Sequence, residues 1–171
     1  MKNETRRAVL LTAVPSIVTA LLVQACLSGG DATAQAAAVV DLDPVEGVWE
    51  AVITGRDCAT GAVLGTFRGI GMFHRGGTLT DTNAAPPSTR GVGMGVWKRT
   101  GAGPGYTAAF RFNRYNPDGS LAGSQKVTRS FTLSADGNTQ TSTNTASVID
   151  LTGAVVQSQC ATDVSTRSFA L

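Results

Sequence analysis

From residue 47 to residue 171 the chain is divided at near-regular intervals by turn chemistry, and no stretch between the divisions has the length and apolar period of a helix. The dividing segments are 55–61, 75–77, 83–88, 101–105, 116–119, 135–138 and 152–153, with Gly76-Gly77, Pro86-Pro87, Asn116-Pro117-Asp118-Gly119 and Asp136-Gly137 among them. Seven turns predict eight sequential strands: 47–54, 63–74, 78–82, 91–99, 106–115, 121–133, 139–150 and 154–169. Several exceed the usual five or six residues, and long strands joined by short turns suit a closed sheet, which leaves no edge open to other chains. The predicted fold is all-β, an eight-stranded antiparallel up-and-down β-barrel.

The chain of 171 residues is one domain in size, and its formal net charge of +2 implies no basic face for nucleic acid. Lys2, Arg6 and Arg7 precede an apolar run over 8–27, and small residues follow at 32–36, the order found in an export signal with cleavage after Ala34 or Ala36. A transmembrane anchor is the alternative, since the run approaches the roughly 20 residues that span a bilayer; Pro15, Ser16, Thr19 and Gln24 dilute it. Residues 5–10 also resemble a twin-arginine export motif. The segment ending at Cys26 partly resembles a lipobox, so Cys26 is a candidate lipidation site. The expected organisation is a signal over 1–36, a flexible lead over 37–46 and a barrel over 47–171. The expected address is secreted or periplasmic, with an outer-membrane lipoprotein as the alternative.

With Cys26 assigned to the signal, Cys58 and Cys160 remain, an even pair in an oxidising compartment and hence a predicted disulfide. His74 is the single histidine, and scattered Cys and His at this number lack zinc spacing, so no metal and no cofactor are expected. The chain has no Gly-x-Ser-x-Gly elbow, phosphate loop or His-Glu-x-x-His. Asp118 and Asp136 precede glycine in turns, which accounts for them structurally. An enzymatic role is therefore the less favoured expectation.

Period-two alternation assigns faces. Phe67, Gly69, Gly71 and Phe73 share one side of the second strand; Ala108, Phe110, Phe112 and Arg114 one side of the fifth; Val127, Arg129, Phe131 and Leu133 one side of the sixth. In the seventh, threonines alternate with Gln140, Ser142, Asn144 and Ala146, so the interior there should be polar or roomy. Arg114 and Arg129 are inward by this count, and a charge inside a barrel needs a carboxylate such as Asp81 or an anionic ligand. The alternative is that a bulge or strand end turns them outward or to the rim.

Gly47-Val48-Trp49 opens the first strand and Arg167 lies near the end of the last. This arrangement resembles the calycin superfamily, the lipocalins and their relatives, in which a Gly-x-Trp begins the barrel and a late arginine lies across the indole at the closed end. The resemblance implies a lipocalin-like barrel whose last strand returns to its first. Cys160 would then lie near the first hairpin, and the Cys58–Cys160 bridge would staple the seam.

The favoured function is binding of a small, largely apolar or amphipathic ligand, with or without an anionic head, by Phe67, Phe73, Phe110, Phe112, Phe131, Arg114 and Arg129. Alternatives are a structural or interaction domain of the cell envelope with a filled barrel, and, less favoured, a barrel isomerase or cyclase. Contact with a membrane is expected only through the signal or a lipid anchor; oligomeric state is left open. An eight-stranded barrel holds either packed side chains or one small ligand, and an apolar cavity of about 300 Å³ or more would favour the binder.

Overall fold

The computed structural model describes residues 42–169, so the signal, the Cys26 site and the first half of the lead, 37–41, lie outside the described residues. Eight antiparallel strands follow in order: β1 (Gly47–Arg56), β2 (Val63–His74), β3 (Thr78–Asn83), β4 (Gly93–Arg99), β5 (Gly105–Tyr115), β6 (Leu121–Leu133), β7 (Thr139–Ile149) and β8 (Val155–Arg167). Each pairs with its sequence neighbours, and β8 returns to β1, closing the barrel. The sheet edges thus satisfy one another.

The turns work by local hydrogen bonding. Asp57 accepts the Thr60 N–H at 2.7 Å and the Ala59 N–H at 3.0 Å; Asp118 accepts the Ser120 N–H at 2.9 Å, and Asp150 the Thr152 N–H at 2.8 Å. Each carboxylate does for its turn what a ladder partner does in a strand. The Thr60 N–H, with the Thr60 hydroxyl and Ala59 N–H, holds the Asp57 carboxyl below its ordinary range. The fourth strand starts two residues later than the sequence predicts. Residue 90 forms only an isolated bridge with Arg114, and the Arg90 side chain turns into the barrel.

The end of the barrel at the start of β1 is filled. Val45, Trp49, Phe73, Leu79, Tyr106, Phe131 and Leu133 are buried there, with Tyr106 and Phe131 stacked at 5.2 Å between centroids. Trp49 donates its indole N–H to the Val45 carbonyl at 2.8 Å, and Arg167 covers the ring at 4.4 Å. Arg167 also donates to the carbonyl oxygens of Pro44, Glu46 and Gly137, so one guanidinium ties the entering chain and the β6–β7 turn to the end of β8. Gly47 suits this junction in two ways. Its φ of 121° disfavours side chains, and a Cβ there would lie 2.9 Å from Arg167 Nη1.

The final residues of the lead are a turn held against the barrel. Asp43 accepts the Val45 N–H at 3.1 Å and the Tyr106 hydroxyl at 2.7 Å, and pairs with Arg99 at 3.2 Å. Partial burial opposes ionisation of Asp43, yet these hydrogen bonds, led by Tyr106, outweigh it and hold the acid below its usual value. Burial, then the bond to Asp43, pushes Tyr106 up to about 12. The folded protein thus holds this proton more tightly than the unfolded chain does. The associated stability is complete below about pH 10 and is lost as pH rises toward 12, on the order of 2–3 kcal/mol. Urea unfolding from pH 9 to 12 should show this loss, and Tyr106→Phe should lack that component.

Candidate functional site

Above the filled end the barrel is hollow. A cavity of about 600 Å³ opens beside the β1–β2 turn, where Asp57, Cys58 and Ala59 form part of its rim. Cys58 and Cys160 are joined across this rim, with Cα atoms 5.2 Å apart. The bridge therefore links the first hairpin to the closing strand, and it accords with an oxidising compartment.

Side-chain size along the ladder rows creates the space. Phe110 faces Gly95 across β4–β5, where a Cβ would overlap the Ala109 carbonyl and lie 2.5 Å from Phe110 Cβ. Asp81 is flanked by Gly71 and Gly93, and Arg129 by Ala108 and Asn144, with Ala161 next along the row. Small neighbours give these long or charged side chains inward room.

Of the residues expected to bind a ligand, Phe67, Phe110, Phe112 and Arg129 line the cavity. Phe67 is 44% exposed in keeping with its outer position. Phe73 lies deeper, beside a void of about 20 Å³ beneath the cavity, and Phe131 is part of the filled core. Arg114 is half-buried and is not among the groups around the cavity; the β5–β6 register shifts between it and Tyr115 at the strand end. Alternation assigns these residues to a face but says nothing of depth along the barrel axis.

The floor of the cavity carries two ion pairs. Arg129 Nη2 donates to Asp163 Oδ1 at 2.9 Å, with side chains 14% and 3% exposed. Asp163 also accepts from Ser165 Oγ at 3.0 Å, from Asn144 Nδ2 at 2.7 Å and from Ser142 Oγ. Four donors thus compensate one buried carboxylate. Arg90 pairs with Asp81, donates to its carbonyl at 3.3 Å and lies over the Phe112 ring at 3.9 Å. Burial pushes the Asp81 acid up, against the pull of Arg90. Nearer the mouth, Gln125 donates to Gln159 at 3.0 Å. The polar interior expected along β7 is formed in part by Ser142 and Asn144.

Arg90 and Asp163 are not distinguished by the sequence reading. Arg90 lies in a Pro-rich connection where alternation gives no face. Asp163 carried a signal: counting back in twos from Arg167 gives Ser165, Asp163, Ala161 and Gln159 on one side of β8. Among the described residues no group of three His, Cys, Asp or Glu side chains is placed to hold a metal ion. Comparison of the chain with protein-family models, with curated proteins and with solved structures finds no match.

Proposed function

We propose that this chain is an exported, lipocalin-like barrel that binds a small, largely apolar molecule in the open half of its interior. The observation that carries the reading is the cavity itself. Its volume of about 600 Å³ falls within the range of small-molecule sites, and it joins an aromatic wall of Phe67, Phe110 and Phe112 to a compact polar floor. Pockets that orient ligands commonly combine these features: the wall takes apolar area from water and a few polar groups fix direction. The stack of Arg167 on Trp49 at the closed end supports placing the barrel among the calycins. The Cys58–Cys160 bridge supports export.

Ala161 faces the cavity from β8. Titration with the neutral fluorescent probe N-phenyl-1-naphthylamine should show saturable binding, and Ala161→Trp should weaken it at least about tenfold in protein that still unfolds cooperatively. Equal binding by a folded Ala161→Trp protein would exclude the cavity as the site.

A further inference from the structure

We propose that the cavity floor selects an uncharged head group that both donates and accepts a hydrogen bond, such as a hydroxyl or a primary amide, held between Asp81 and Arg129. The inference rests on the binding reading above and specifies the class of ligand. Asp81 and Arg129 line both the cavity and the small void beneath it, so they border the same space from two separate strands, β3 and β6.

The two ion pairs are unequally engaged. Asp163 has both oxygens occupied by protein donors, two on each, and has little left to offer a ligand. Asp81 is bonded through Oδ1 to Arg90 and is 22% exposed, which leaves its second oxygen as an acceptor. Arg129 bonds to Asp163 through Nη2; its Nε is buried, and its Nη1, which is not fully buried, has no acceptor among the described residues. The floor therefore presents one unfilled acceptor and one incompletely used donor.

Charge then decides among head groups. Arg90 and Arg129 offset Asp81 and Asp163, so the floor has no formal excess of either sign. A ligand carboxylate or sulfonate would gain Arg129 but meet Asp81, and an ammonium would gain Asp81 but meet Arg129. Among side chains as buried as these, each like-charge approach is costly. A hydroxyl or amide satisfies both partners without adding charge, and its apolar body extends along Phe110, Phe112 and Val127 toward the mouth.

The charged groups acting on Asp81 are Arg90 from the connection before β4, Arg129 from β6 and Asp163 from β8. Because burial raises the Asp81 acid, protonation on acidification gives the floor a single positive excess and relaxes the exclusion of anions. An alcohol probe lacks this pH response.

The test uses 1-decanol, 1-decanesulfonate and decylammonium, which share an alkyl chain and keep fixed head-group charge from pH 5 to 8, in competition with N-phenyl-1-naphthylamine. At pH 8 decanol should bind at least about tenfold tighter than either charged probe. Decanesulfonate should gain affinity as the pH is lowered and Asp81 takes up its proton, and Asp81→Asn should give it a gain at pH 8. The head-group series on the unaltered protein carries the decision if Asp81→Asn does not fold. Equal affinities for all three, or tighter sulfonate binding at pH 8, would overturn head-group selection and leave the cavity reading intact. Binding by none of the probes, including the naphthylamine, would overturn both.

Discussion

Replacing Asp163 with alanine should destabilise the barrel by about 3–5 kcal/mol, because it removes the counter-charge from a buried arginine. Arg129 is 14% exposed on its side chain and bonds to Asp163 at 2.9 Å, so its charge would be left among Phe73, Phe131 and small polar groups. Ser142, Asn144 and Ser165 would lose an acceptor at the same time. Asp163→Asn should cost less, since it keeps the shape and part of the hydrogen bonding. Arg129→Met combined with Asp163→Leu should recover much of the loss, as apolar replacement of both partners often does. Urea unfolding of the unaltered protein and the three variants measures these losses, and a cost below about 1 kcal/mol for Asp163→Ala would mean that water already compensates Arg129.

The second large effect belongs to the disulfide. Cys58 and Cys160 are separated by 102 residues, and closing a loop of about that length is worth up to roughly 4.7 kcal/mol in the chain-entropy account. Net stabilities of single domains are typically about 5–15 kcal/mol, so the bridge supplies a substantial share. The Cys58→Ser, Cys160→Ser double variant should lose about 3–5 kcal/mol, matching the unaltered protein under reducing conditions. The loss should be accompanied by weaker probe binding, because the bridge sits at the cavity rim. Reduction that leaves the unfolding curve in place would show that the β1–β8 ladder alone holds the seam.

The contrast between what the sequence disclosed and what it hid follows from the range of the interactions involved. Asp57, Asp118, Asp136 and Asp150 act on N–H groups a few residues away, so the turns, and with them the strand count, are readable locally. Closure was legible through Trp49, Arg167 and the cysteine pair, which mark the first hairpin and the last strand. Alternation counted Arg114 and Arg129 as inward alike, with the rim as the alternative for both, and only Arg129 borders the cavity. Alternation could not choose Asp163 as the partner of Arg129, because that pairing depends on the register of β6, β7 and β8 together. Nor could it separate Phe110 and Phe112, in the cavity wall, from Phe73 and Phe131, in the packed end. Arg90 was hidden for another reason: it enters the interior from a connection rather than a strand, and only its bonds to Asp81 and Gly91 reveal the direction of its side chain.

The decisive measurement for a ligand-binding barrel is native mass spectrometry of the protein purified from its own cells, compared with the denatured mass. The account predicts a co-purifying small molecule that is released on unfolding and is missing from Ala161→Trp. Reproducibly empty protein, together with failure of neutral amphipathic probes to bind, would contradict it.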